Sequence, residues 1–259
     1  MYTRNVLSIT LTVLVLLLNI NLIHSQELKT DSISFTSPIL LDCKLNIPNN
    51  FETQKPIDLI ISLHGGGGSY DKFQNIWRHF ENPKFIMATP EAPYKWLMRE
   101  KIGYDWSAWP SGNLQFMIKA LELAPVYIEN LIISLKEKYA INKIYLMGFS
   151  QGSIITQIAG IKNHSLLDGI IILSGPEINH PNKPEIVWPT NSEIINAKGL
   201  SVFIIHGKTD ALIDVQIARK SKEFYKNHGY DTVLFEFEGG HEIHPDAMKE
   251  IEKWINNKI

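Results

Sequence analysis

Apolar residues in this chain follow two alternating rhythms. Short, nearly unbroken runs read as strands: Ile57–Leu63, Phe85–Ala88, Ile144–Met147, Gly169–Leu173, Val202–Ile205 and Thr232–Phe237. Between them, apolar positions recur at helical spacing over Asp71–Phe80, over Leu114–Tyr139 with Pro125 permitting a kink or break, and through Ser153, Ile154, Ile155 and Ile158. Val215–His228 and a terminal Pro245–Trp254 segment complete the helical set. Ile33–Ile47 alternates loosely around Ser37-Pro38 and predicts an edge hairpin. Two stretches break the rhythm. Glu91–Gly112 reads as a long loop rich in Tyr94, Trp96, Tyr104, Trp106 and Trp109, and Pro176–Gly199 as a polar, proline-rich excursion. Alternating strands and helices predict an α/β three-layer sandwich, a mostly parallel sheet covered by helices on both faces. In such sheets the ligand crevice lies beyond the carboxyl ends of the strands.

Composition narrows the class. The 259 residues are 44% hydrophobic and 20% charged, as expected of a globular protein with a substantial core. Arg4 followed by the apolar run Val6–Leu18 and a small residue at Ser25 reads as an export signal over residues 1–25, leaving residues 26–259 as one α/β domain. The run is shorter than the roughly 20 residues a spanning helix needs, so no membrane span is expected after cleavage. A periplasmic or secreted location follows from that expectation. The formal net charge is −2 and no basic block occurs, which argues against nucleic acid as a partner. Cys43 is the single cysteine, so neither an intramolecular disulfide nor a cysteine metal cluster can form.

The chemistry-bearing residues sit at strand ends. Gly148-Phe149-Ser150-Gln151-Gly152 matches G-x-S-x-G between a strand and a helix, a turn that projects a serine hydroxyl above the sheet. Taken alone it is equally compatible with a helix cap. His64-Gly65-Gly66-Gly67-Gly68 follows another strand; such a loop suits N–H donors aimed at an anion, although a plain surface turn has the same composition. A phosphate loop is disfavoured because no lysine follows the glycines. Asp210 and His241 follow the last two strands, giving the chain order Ser, Asp, His. In that arrangement His241 takes the Ser150 proton, Asp210 orients the imidazole, and backbone N–H groups of Gly66 and Gln151 form an oxyanion hole. Trp106, Trp109 and Trp188 are candidates for lining a substrate pocket, while the loop aromatics would serve equally well to pin the loop to the core. Asp214 reads as a helix cap, His244 as a solvated residue, and His64 and His206 as structural. His241-Glu242-x-His244 is not the H-E-x-x-H of a zinc helix, and no metal is expected.

Leu63-His64-Gly65-Gly66-Gly67, Gly148–Gly152, Asp168-Gly169 through Leu173-Ser174-Gly175, His206-Gly207-x-x-Asp210 and Gly240-His241-Glu242-Ile243 together resemble the phospholipase/carboxylesterase family of α/β-hydrolases, which includes acyl-protein thioesterases. The resemblance implies Ser150 as nucleophile with Asp210 and His241 as partners, no cofactor, and small-molecule or lipid ester or thioester substrates. It leaves oligomeric state open. Three features depart from the family pattern: Ser153 where a second glycine is common, a longer 176–199 connection, and the export signal. A peptidase on the same fold and a non-catalytic binding protein on a hydrolase scaffold remain the alternatives at this stage.

Overall fold

A computed structural model describes residues 39–52, 55–98, 101–178 and 188–257. Seven strands form one sheet in the order β1-β3-β2-β6-β7-β8-β9. They are β1 (Cys43–Asn46), β2 (Ile57–Leu63), β3 (Phe85–Pro90), β6 (Ile141–Phe149), β7 (Gly169–Leu173), β8 (Ser201–Gly207) and β9 (Asp231–Phe237). Every neighbouring pair is parallel except β1, which runs antiparallel to β3 at the edge. Of the hairpin expected over Ile33–Ile47, only β1 falls among the described residues, and the signal segment 1–25 lies outside them.

Strand alternation divides the core in two. On β2, Leu59, Ile61 and Leu63 face one side with Ile144 and Leu146 of β6, while Ile60 faces the other with Tyr145 and Met147. The first side is covered by α2 (Leu114–Lys138) through Ile128 and Ile132, α3 (Gln151–Lys162) through Ile155 and Ile158, and α5 (Val215–Asn227) through Ala218 and Tyr225. The second is covered by α6 (Pro245–Asn256) through Met248, Ile251 and Ile255. Burying a side chain of this size contributes roughly 1.5–3 kcal/mol, so runs apolar on both faces are stable only between two helical layers. The three-layer expectation holds.

Several local expectations change. Asp71–Phe80 is not one helix: a single turn, α1 (Tyr70–Phe73), passes into a 3-10 segment at Gln74–His79. Three residues per turn put Phe73 and Ile76 on one side, and both pack into the second core. Leu114–Lys138 runs as one helix through Pro125. The long loop after β3 contains an antiparallel ribbon, β4 (Tyr94–Met98) and β5 (Lys101–Asp105). Tyr104 ties this ribbon to the glycine loop, accepting from Gly67 N–H at 2.9 Å and donating to Gly68 at 2.8 Å. Pairing with a loop 36 to 37 positions away is what the one-dimensional pattern could not show. Within the 176–199 excursion, α4 (Asn191–Asn196) starts from a capping box between Thr190 and Glu193.

The order places the site. From β2 the chain turns back to β3, and β6 returns on the other side of β2. That reversal opens a crevice at the carboxyl ends of β2 and β6, where the glycine loop and Ser150 begin.

Candidate active site

Ser150 is the residue between β6 and α3, with φ 53° and ψ −116°. A non-glycine residue in that region is strained, and the surrounding packing enforces it. A Cβ at Gly148 would strike the Gly152 carbonyl and the Thr156 hydroxyl, and a Cβ at Gly152 would strike the Leu63 carbonyl. Only glycines allow strand, turn and helix to approach so closely. Ser153, fully buried, donates its hydroxyl to the Ser150 carbonyl at 2.6 Å and clamps the first turn. It leaves no room for a side chain at Gly175, whose Cβ would collide with the Ser153 Oγ. The larger residue at 153 is thus accommodated by the glycine opposite.

Asp210 and His241 lie beyond β8 and β9. His241 Nδ1–H donates to Asp210 Oδ2 at 2.7 Å, and Asp210 Oδ1 accepts from Leu212 N–H and Ile213 N–H, each at 2.9 Å. Burial raises the Asp210 pKa, but the Ile213 N–H, the His241 contact and the Leu212 N–H outweigh it and hold the carboxyl below the usual range. His206, fully buried, donates Nε2–H to the Ile213 carbonyl at 2.7 Å, with the same nitrogen 3.3 Å from Asp210 Oδ2. The structural role expected of His206 is therefore to brace this turn.

A neutral imidazole whose Nδ1 donates carries its lone pair on Nε2. The structure joins Asp210 to His241 directly. Among the described residues it places no hydrogen bond between His241 and the Ser150 hydroxyl; the neighbouring Phe149 ring lies against the imidazole at 4.9 Å between centroids.

The glycine loop flanks Ser150 on the other side. A Cβ built on Gly65 would lie 3.4 Å from Ser150 Cβ, and one on Gly66 would lie 3.2 Å from Gln151 Oε1. Gly65 therefore lies against Ser150, and Gly66 against the Gln151 side chain. His64, at the base of this loop, is buried among Phe73, Tyr104 and Trp106, and its Nδ1–H donates to the Gly65 carbonyl at 2.8 Å. Burial holds its pKa below the ordinary histidine value, so it remains neutral and structural.

Beside Ser150 opens a cleft of about 330 Å³ lined by Gln151, Ile154, Pro176, Leu212, Ile213 and Ile217. Apart from Gln151 its walls are aliphatic, and Leu212, 77% exposed, stands at the rim. None of the three tryptophans proposed for a pocket is among the cleft-lining residues. Trp106 is 3% exposed and donates its indole N–H to the His64 carbonyl at 2.8 Å, so it supports the glycine loop from beneath. Trp109 stands 52% exposed on a 3-10 turn, and Trp188 packs half-buried against the first core. The actual wall residues gave no signal in one dimension, because an isoleucine facing a cleft looks like one facing a core. Asp214 and His244 both cap helices, accepting from Gln216 N–H at 2.8 Å and Asp246 N–H at 3.2 Å.

Comparison with known proteins identifies the family. Residues 50–259 match the family model described as Phospholipase/Carboxylesterase. The chain is 26% identical over 220 residues to acyl-protein thioesterase 1 of Gibberella zeae, covering 77% of this chain and 90% of that protein. It is 28% identical over 191 residues to acyl-protein thioesterase 1 homolog 2 of Dictyostelium discoideum, covering 68% and 80%. Among solved structures, esterase PE8 superposes with a TM-score of 0.64 at 21% identity, covering 85% of this chain and all of that one; this likeness concerns the α/β-hydrolase fold. With its family model spanning most of its length, the chain belongs to the phospholipase/carboxylesterase family and is a hydrolase acting on esters.

Proposed function

We propose that the protein is a serine esterase that works through an acyl-enzyme intermediate, with Ser150 as nucleophile, His241 as base and Asp210 as the orienting acid. The observation that carries this reading is the Asp210–His241 hydrogen bond at the rim that also bears the strained Ser150 turn. A serine hydroxyl attacks only when a base takes its proton, and Asp210 leaves His241 with its lone pair on Nε2 for that task. Catalytic hydrogen bonds are commonly long without substrate and tighten in the Michaelis complex. In the first step the Ser150 oxygen adds to the ester carbonyl while His241 takes its proton. Collapse of the tetrahedral adduct expels the alcohol, which receives that proton. Water, deprotonated by His241, then attacks the acyl-serine and releases the acid. The N–H groups of Gly66 and Gln151 hold the oxyanion in both steps, each contributing on the order of 3 kcal/mol. The aliphatic cleft takes the acyl chain, and a thioester is cleaved by the same steps with a thiol leaving. The Val6–Leu18 segment supports export of the enzyme.

The test is hydrolysis of p-nitrophenyl esters by the purified protein beside Ser150→Ala, which should lower kcat roughly 10⁴-fold or more. A fluorophosphonate should add one mass equivalent, on Ser150. Wild-type turnover in the alanine variant, or labelling at another residue, sinks the assignment.

A further inference from the structure

Asp105 is a carboxylate 1% exposed to solvent, at the end of the β5 strand rather than in the Ser–Asp–His set. An ionised carboxylate so far from water is stable only where donors surround it. Its Oδ1 accepts from Ser107 N–H at 2.9 Å, Trp109 N–H at 3.0 Å and the Ser107 hydroxyl at 3.2 Å. These bonds are local and shape the loop. Its other oxygen, Oδ2, reaches 46 positions along the chain to accept Gln151 Nε2–H at 2.8 Å. The Gln151 amide is fully engaged there: Nε2 also donates to Ser107 Oγ at 3.0 Å, and Oε1 accepts Trp106 N–H at 3.2 Å. That same Oε1 sits against Gly66, as the contact with a Cβ built there shows. The Gln151 side chain is therefore wedged between residues 105–107 at the end of the ribbon and Gly66 of the glycine loop.

We infer that Asp105 is a positioning residue for the oxyanion hole: through Gln151 Nε2 it locks the side chain whose backbone N–H is one donor and whose amide abuts the other, Gly66. The inference rests on the triad reading above. Bonds confined to the loop would satisfy Asp105 as a mere structural carboxylate; the bond to Gln151 couples it to the reacting centre. Ser107 belongs to the same lock, because its hydroxyl bridges Asp105 and Gln151.

The experiment is a double-mutant cycle on the purified protein with p-nitrophenyl butyrate, kcat and KM measured separately and normalised to folded protein. Asp105→Asn turns an N–H donor towards the Gln151 amide donor, and whichever way the glutamine flips, one donor faces another. Displaced oxyanion donors should lower kcat about 10- to 100-fold while KM stays within about twofold. Gln151→Glu places two carboxylates together and should fall similarly. In Asp105→Asn/Gln151→Glu the new carboxylate accepts from Asn Nδ2, the Ser107 hydroxyl and Trp106 N–H, so kcat should recover at least fivefold above either single variant. A residue with only a structural role would lower folded yield or Tm without this kcat loss and rescue. Unchanged kcat in Asp105→Asn, or no recovery in the double variant, overturns the inference. If Asp105→Asn does not fold, Ser107→Ala decides: reduced kcat at constant KM supports the lock, and unchanged kcat overturns it. Ser150→Ala run in parallel separates the two claims, since activity there defeats the triad reading whatever the cycle shows.

Discussion

The carboxylate of Asp210 and the imidazole of His241 meet at 2.7 Å although 31 positions separate them in the chain. Parallel pairing of β8 and β9 brings them together, for Gly207 and Phe237 stand in register where the two loops begin. Asp210→Asn keeps the shape of the side chain but lets its amide face Nδ1 as a donor, favouring the wrong tautomer. Turnover should fall about 10⁴-fold with KM little changed. Steady-state kinetics on a p-nitrophenyl ester measure this, and a loss below tenfold would remove Asp210 from the proposed role.

The same carboxylate makes stability depend on pH. Its folded pKa lies below the unfolded value, because the Ile213 and Leu212 N–H groups and His241 together outweigh burial, the largest single influence. A depressed acid stabilises the fold above its unfolded pKa, about 3.9, and loses that contribution as pH falls through the folded value. The Tm difference between the natural protein and Asp210→Asn should therefore be greatest near neutrality and shrink below about pH 4. Thermal melts from pH 7 to pH 3 test the direction. A gap that widens on acidification would contradict it.

Ile217 and Ile213 form part of the aliphatic wall beside Ser150. If an acyl chain lies there, Ile217→Ala should lower kcat/KM for an octanoyl ester about tenfold relative to an acetyl ester, the loss expected for one or two apolar groups in a pocket. An unchanged octanoyl-to-acetyl ratio would move the acyl site elsewhere.

The legible part of this protein was local. Buried strands announce themselves as unbroken apolar runs because both of their faces meet helices, and Ile57–Leu63 and Gly169–Leu173 lie where those runs stand. The Gly148–Gly152 turn was legible for the same kind of reason, since close approach of strand and helix excludes side chains at fixed positions. Where local pattern competed with distant pairing, expectation failed. Tyr94–Met98 and Lys101–Asp105 pair as a ribbon whose Tyr104 backbone is hydrogen-bonded to the glycine loop, and no periodicity within residues 91–112 carries that information.

By itself, then, the chain determined its layer order, its glycine-lined turns and the succession of hydroxyl, carboxylate and imidazole after strands, all of which follow from hydrophobic periodicity and steric limits acting over a few residues. Only the tertiary structure decided which groups touch. It gave Trp106 to the glycine loop instead of the cleft, made a wall of Ile154, Leu212, Ile213 and Ile217, and set Asp105 against Gln151. An indole, an isoleucine or an aspartate reads the same in either setting, and its partner is chosen by packing between segments far apart in sequence.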